Sequence, residues 1–382
     1  MIKTISATTR EIDNPKTAAA EIIAALEPSK NLLKNSMGII SCFSEFEETG
    51  VLKAICDALP FDCIGATTCV CSANGQTDQI IFSVTVLTSD DCSFETVELA
   101  LGEKYDESID AGLSPLFGRS DIKPALIFSY FPLMHTVSGD MMLSAIDKAT
   151  GGIPLYGTVA VDHTMDYATA KTIRNGEMFR ESIVLGMISG NFDFTFEIAS
   201  LDEDKIRKQK AIITESDGNI LIGVNGKTAL EYLEEIGLTK TELATGLGIL
   251  PLVIGNKDGT KPVARAVFAL TPDGHAVCGG TMPVGATLSI GRLSRGDILQ
   301  NTETIIKPFF KLDSVMFSYS CVARHLALGA DNTAEAEKVC EIAGDNKYVF
   351  ACSGGEICPL PDSNGILKNF FHNFTNILCR IS

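Results

Sequence analysis

Ala125-Leu126-Ile127-Phe128-Ser129-Tyr130, an amphipathic run from Met141 to Ala149, and Pro154-Leu155-Tyr156-Gly157-Thr158 together decide how this chain is read. The first segment is a short unbroken apolar run, the pattern of a buried strand. The second spaces its apolar residues as a helix does, behind Ser138 or Asp140 as a cap. The third is a strand that breaks at a glycine followed by threonine. Strand, helix and strand in this order make a parallel pair through a right-handed crossover, so both strands end at one edge of the sheet.

The same punctuation lies on both sides. Upstream, Met37 to Phe43 reads as a buried strand, Val51 to Leu59 as a helix, and Phe61 to Thr68 as a strand breaking at Gly65. A helix precedes them, capped by Asn14, started by Pro15, faced with Ala18, Ala19, Ile22, Ile23 and Leu26, and stopped by Pro28. Downstream, Ser314 to Ser320 is a strand and Thr333 to Ala343 a helix capped by Asn332 or Thr333. Tyr348 to Ser353 is the second strand, running into Gly354-Gly355. A unit present three times is a repeat, and ligands of such sheets sit beyond the carboxyl ends of the strands.

Between the second and third copies the texture changes. Ile212 to Ile222 reads as a hairpin around Asp217-Gly218, and a helix runs from Thr228 to Ile236. Turns at Asp258-Gly259 and Asp273-Gly274 separate Leu250–Ile254, Ala264–Leu270 and His275–Cys278, an antiparallel meander. Leu201 to Lys210 is a highly charged segment, the linker or the start of the second domain. The prediction is an α/β protein in two domains, residues 1–203 and 204–382. Repeated β-α-β units form mixed sheets covered by helices, and the meander belongs to the C-terminal domain.

Composition narrows function. The 382 residues are 45% hydrophobic and 21% charged, an ordinary globular balance. The formal net charge of −17 repels phosphate backbones and anionic lipid, which argues against nucleic acid and membrane partners. Met1-Ile2-Lys3-Thr4 leads into no apolar h-region and no apolar run is long enough to span a bilayer, so a cytoplasmic location is expected, without membrane insertion. The twelve cysteines include no CxxC pair. They read as small buried hydrophobes rather than as a zinc or iron–sulfur site. The five histidines (135, 163, 275, 325, 372) show no metal-ligand spacing, so no metal site is expected. Gly223-Val224-Asn225-Gly226-Lys227-Thr228 ends like a phosphate loop, but Leu221 stands where its first glycine belongs. Asn373-Phe374-Thr375 fits a glycosylation acceptor that a chain without a secretory signal would not use. No GxSxG elbow occurs.

Three segments resemble a known family. Gly65-Ala66-Thr67-Thr68 is the first, and Pro154 to Asp162 the second. The third is Phe317 to Arg324, with Ser353-Gly354-Gly355-Glu356-Ile357-Cys358-Pro359 and Asn373-Phe374-Thr375 after it. Together they resemble the FIST proteins, with N-terminal and C-terminal FIST domains in tandem over nearly the whole chain. Two departures stand out: the family's double glycine is Tyr156-Gly157 here, and Cys69 follows Thr68 where glycine or alanine is usual. The resemblance implies a bacterial sensory domain for signal transduction that binds a small ligand, an amino acid or similar small carboxylate. It implies output through a separate protein such as a kinase or chemotaxis component. It implies no obligatory cofactor, with a haem-binding gas sensor as an alternative.

The expected site gathers Thr67, Thr68, Gly157, Thr158, Asp162, Cys321, Arg324, Ser353, Gly355 and Glu356. Arg324 offers a fixed fork for a carboxylate and Glu356 accepts from an ammonium. The hydroxyls sit at the strand ends, Asp162 orients them, and the glycines let backbone N–H groups approach. Alternatively, Arg324 and Glu356 pair with each other and hold the third repeat closed. Cys321, one turn from Arg324, would be a favoured thiolate, giving a cysteine-dependent enzyme or redox sensor as the other class of function.

Overall fold

The strand–helix–strand unit is present three times, and each copy is longer than its sequence pattern indicates. The computed structural model describes residues 1–118, 123–134, 137–164, 166–237, 249–255, 262–361 and 364–382; His135 and the Asp258-Gly259 turn lie outside them. The first repeat runs β1 (Lys3–Thr9), α1 (Pro15–Leu26), β2 (Asn35–Cys42), α2 (Val51–Ala58), β3 (Cys63–Thr67), the hairpin β4–β5 (Cys71–Ala73, Gln76–Asp78) and β6 (Phe82–Ser89). The second has the same order: β7 (Ser93–Ala100), α3 (Tyr105–Phe117), β8 (Pro124–Phe131), α4 (Gly139–Thr150), β9 (Leu155–Val159), β10–β11 (Thr172–Arg174, Glu177–Phe179) and β12 (Ser182–Ser189).

The third repeat opens with β13 (Phe194–Ala199) and is then interrupted. The insertion holds β14 (Ala211–Asp217), β15 (Ile220–Val224), β16 (Lys227–Thr228), α5 (Ala229–Glu235), β17 (Leu252–Gly255), β18 (Val263–Arg265), β19 (Val267–Leu270), β20 (Ala276–Cys278) and β21 (Thr287–Ile290). The repeat resumes with α6 (Arg295–Ile306), β22 (Val315–Cys321), α7 (Val322–Ala327), α8 (Ala334–Ala343), β23 (Lys347–Ser353), β24–β25 (Glu356–Pro361, Leu367–His372) and β26 (Asn376–Ile381).

Each repeat builds one mixed sheet. The parallel pairs are β2–β3, β8–β9 and β22–β23. Each first strand has an antiparallel neighbour from its own repeat, β6, β12 or β26. The hairpin leaves its repeat: β4 pairs with β23, β10 with β3 and β24 with β9. The exchange is cyclic, one to three, two to one and three to two. Strands from both halves of the chain therefore complete two of the three sheets.

The inner faces of the three sheets share one core, to which Ile39, Ile64, Phe128, Tyr156, Phe317 and Val349 contribute. Its few polar atoms are paired: Tyr130 and Tyr319 hydroxyls lie 3.0 Å apart, and Tyr156 donates to the Phe317 carbonyl at 2.8 Å. Helix pairs α1/α2, α3/α4 and α6/α8 cover the outer faces. Their caps follow the sequence in part. Asn14 accepts from the Lys16 and Thr17 amides, and Ser138, not Asp140, caps α4. Thr333 occupies the α8 cap position, but its hydroxyl donates to Glu337 and caps no amide.

In the insertion, Thr228 and Glu231 form a reciprocal capping box at α5, and Gly226 is a turn glycine at φ +77°. The predicted meander curls. Its strand order is β18-β17-β21-β14-β15-β20-β19, and β18 and β19, at opposite ends, are joined through Ala266 alone. The sheet must close nearly into a barrel for one residue to bridge its edges. Arg265 ties the barrel to the second repeat: it grips both Asp140 oxygens at 3.1 Å and the Phe371 carbonyl at 3.0 Å.

Gly65 and Gly157 do not break their strands as the sequence reading expects. Both lie inside them, against the parallel partner. A Cβ on Gly157 would sit 1.7 Å from the Ser129 carbonyl oxygen, and one on Gly65 2.0 Å from that of Ile40. The missing side chain is what lets each pair approach. Gly157→Ala is expected to cost more than about 3 kcal/mol by urea unfolding, since backbone must move to relieve overpacking. Gly365→Ala, at φ +79° in open space, should cost only about 1 kcal/mol; equal losses would contradict this account of the strand pair.

Candidate functional site

The ends of the three second strands meet. The Thr68 hydroxyl donates to the Val70 and Cys352 carbonyls, the Cys352 amide to Val70, and the Val161 amide to Thr67. The Val159 and Gly354 amides complete the ring, bonding Gly355 and Val159 carbonyls. Strand ends from all three repeats are thus knitted together, as the position of the motifs in the repeats predicts.

Most of the expected polar side chains are engaged in this knitting. Thr67 donates to the Lys171 carbonyl and accepts from its amide, which seats the exchanged hairpin β10. Thr158 donates to the Val159 carbonyl, and Ser353 to the Gly355 carbonyl while accepting its amide. Thr68 and Ser353 make the same bond, to the carbonyl two residues on, in the first and third repeats. A Cβ on Gly355 would meet the Phe371 ring at 2.2 Å, so that glycine is filled by an aromatic neighbour. Asp162 does not orient the strand-end hydroxyls as the sequence reading expects; it holds its own loop instead. It accepts from the amide and hydroxyl of both Thr164 and Thr169. Burial opposes its ionisation, but these bonds outweigh burial and hold the carboxyl below its usual range.

Arg324 is completely buried, and its ionic partner is Glu335 rather than Glu356. The guanidinium reaches Glu335 Oε1 at 2.7 Å and Thr302 Oγ1 at 2.9 Å. Glu335 also accepts from Thr302 at 2.6 Å, Ser320 at 2.7 Å and Asn376 at 3.2 Å. Burial raises the Glu335 carboxyl; the Arg324 charge and these bonds bring it below its usual range. Acidic residues in the first turn of α8 are visible in the sequence, but nothing local distinguishes Glu335, which points inward, from Glu337, which does not.

Glu356 is the opposite case. Its Oε2 accepts from Thr375 at 2.7 Å, while Oε1 is buried with no partner. Burial pushes its carboxyl up to about 8, so it is protonated at neutral pH. The thiolate expected at Cys321 is disfavoured: burial first, then the Glu356 carboxylate once that group ionises above about pH 8, raises that thiol well above its ordinary value. Arg324 does not offset this, because its charge is spent on Glu335. Of the ten expected residues, only Arg324, at Nη1, and Glu356, at Oε1, keep a buried side-chain polar atom without a partner.

Thr375 also lines a cavity of about 270 Å³. The cavity lies at the seam between the barrel (Val253, Val263), the charged stretch (Asp202, Glu203) and the third repeat (His372, Asn373). Asn373 fastens the seam, accepting the Ala266 amide at 3.3 Å. Burial lowers His372 to about 4, and its Nε2–H donates to the Cys358 carbonyl, so it offers no Nε2 lone pair to a haem iron.

A chain of three cyclically exchanged α/β repeats with an inserted antiparallel barrel is what a tandem two-domain sensory fold looks like here. The FIST N domain matches residues 36–227 and the FIST C domain residues 229–359, and the chain belongs to the FIST family. FIST domains are sensory domains of signal transduction. No curated protein sequence matches the chain. Among solved structures, a cyanuric acid hydrolase from A. caulinodans is similar at 6% identity and a TM-score of 0.38, over 100% of this chain and 99% of that one. That degree of likeness says nothing about activity. No helix among the described residues is long and apolar enough to cross a membrane.

Two measurements check the electrostatics. Arg324→Ala leaves the Glu335 charge buried and unpaired, and unfolding free energy should fall by about 3–5 kcal/mol. Glu356 binds its proton more tightly in the folded protein, at about 8, than in the unfolded chain, at the ordinary 4.5. Its contribution is therefore full below about pH 4.5 and is lost as pH rises toward 8, by at most about 1.4 kcal/mol per pH unit. Urea unfolding of Glu356→Gln between pH 5 and 8 should lack that decline; parallel profiles for variant and parent would refute the buried neutral carboxyl.

Proposed function

We propose that this FIST protein is a cytoplasmic bacterial sensor that binds a small amino acid, or a similar small carboxylate, in the seam cavity and signals through a separate protein such as a kinase or chemotaxis component. The observation that carries the reading is the cavity itself. Its volume of about 270 Å³ is on the scale of a metabolite rather than a macromolecule. Asp202 and Glu203 stand exposed at its border and suit a ligand ammonium. The Asn373 amide, with one N–H committed to the His372 carbonyl, has a second to offer a carboxylate.

The position supports a sensory use. The cavity is walled by two bodies, barrel and repeat core, whose contact a ligand can strengthen. Its floor residue Thr375 is bonded to Glu356 at the strand-end junction, so occupancy can alter the hydrogen bonding of that carboxyl. A ligand shifts such a balance only as far as it prefers one arrangement.

Thermal-shift screening of the full chain against the common amino acids and small carboxylates tests the reading. A true ligand at a hundredfold its dissociation constant should add about 2.7 kcal/mol. The Asp202→Asn, Glu203→Gln double variant should weaken an ammonium-bearing ligand up to about tenfold, the effect of two exposed charges. If no member of the panel shifts the parent protein, the proposal fails.

A further inference from the structure

Outside the cavity, the junction brings together three residues from two repeats that no sequence spacing connects. Cys69 follows the end of β3, Cys352 is the next-to-last residue of β23, and His325 projects from α7. Their ligand atoms all lie within 4.8 Å of one another. A tetrahedral zinc with Zn–S bonds of about 2.3 Å and a Zn–N bond of about 2.0 Å holds its donors roughly 3.5–3.8 Å apart, so small side-chain movements close the set.

We propose that Cys69, Cys352 and His325 form a binding site for one thiophilic divalent metal ion of the zinc class, with a fourth position left open. Three features beyond proximity support it. First, the histidine is already oriented. His325 Nδ1 lies 3.0 Å from the Asn332 carbonyl, which can only accept, so the proton is on Nδ1 and Nε2 carries the lone pair. A backbone carbonyl holding one ring nitrogen is the usual support of an imidazole that binds metal through the other. Second, the charge balances. Binding releases the two thiol protons to solvent, and a dication with two thiolates and a neutral imidazole is electrically neutral, which a buried site requires. Third, access is graded: both cysteines are buried, while His325 is only partly so. An ion can therefore enter from the α7 side.

Tyr167 and Cys321 border the cluster, both near enough to Cys352 or Cys69 to interact with them electrostatically. A water or a small exogenous ligand would complete the coordination of such an ion. The inference does not rest on the seam cavity or on any ligand bound in it.

Full-length protein, reduced and stripped with a chelator, is titrated with Co²⁺ as a spectroscopic stand-in, then with Zn²⁺ against a chromogenic chelator. Expected are one metal per chain, a sulfur-to-cobalt charge-transfer band, visible bands of tetrahedral cobalt, and displacement of cobalt by zinc. Cys69→Ser and Cys352→Ser should abolish the charge-transfer band or halve it. His325→Ala should weaken binding by more than about tenfold. Cys340→Ser, at the one cysteine that is not buried, should leave binding unchanged. Absence of a charge-transfer band in the parent protein overturns the site, as does binding that survives in a folded Cys69→Ala, Cys352→Ala double variant. Should the cysteine variants not fold, the parent cobalt spectrum and His325→Ala decide the question.

Discussion

No repeat of this protein can finish its own sheet. Each sends a two-stranded hairpin to a neighbour, and each second strand takes its last partner from elsewhere. A parallel strand pair with one open edge exposes a row of unpaired amides and carbonyls. The cyclic exchange closes all three edges at once, and no copy can leave without reopening one. The shared inner core follows from the same constraint, because three sheets locked edge to edge turn their inner faces on one another. The tyrosines there are tolerated because each hydroxyl finds a partner across the repeats.

The junction of strand ends is the price of that exchange. Chain must leave each second strand and reach the next sheet within a few residues, and its backbone groups need partners where no ladder remains. Thr67, Thr68, Thr158 and Ser353 supply them. Hydroxyls that look like ligand donors in the sequence are what a crowded, dry chain crossing requires. Asp162 serves the same end for the loop that carries Tyr167. Against this satisfied background the exceptions carry information. Arg324 has five bonds around Nε and Nη2, but Nη1 is bare, and Glu356 is neutral with one bare oxygen.

The strand–helix–strand units were legible because periodicity and punctuation are local. The swapped hairpins were not. β4, β5, β10 and β11 are three residues each, and their partners are set by the closure of other repeats rather than by their own pattern. The junction was legible as a place, since every quoted motif ends there. The partner of Arg324 was not, because Glu335 lies on a solvated-looking helix turn and is chosen by the direction that α8 faces. Cys69, His325 and Cys352 were each visible. Metal-ligand spacing along the chain is the wrong measure for them, however: Cys69 and Cys352 become neighbours only because they flank the same point, Thr68 and Ser353, in two repeats. Comparing positions across repeats would have found the pair; His325 needed the short helix after β22.

The residues from Cys321 to His325 are where the two ligand chemistries approach each other. On one side Cys321 touches Glu356, which is bonded to Thr375 at the cavity. On the other, Arg324 anchors α7 to Glu335, and that anchorage sets where His325 points. A buried ion pair with four further partners, Ile298, Thr302, Ser320 and Asn376, holds its geometry firmly, so α7 is a rigid platform rather than a hinge. Movement at the junction must then come from the less satisfied side, where Glu356 has a free oxygen and the Cys69–Cys352 thiols have only weak hydrogen bonds to lose. A ligand in the seam and a metal at the thiols would each act on that soft side, one through a hydroxyl and one through sulfur, against the same fixed helix.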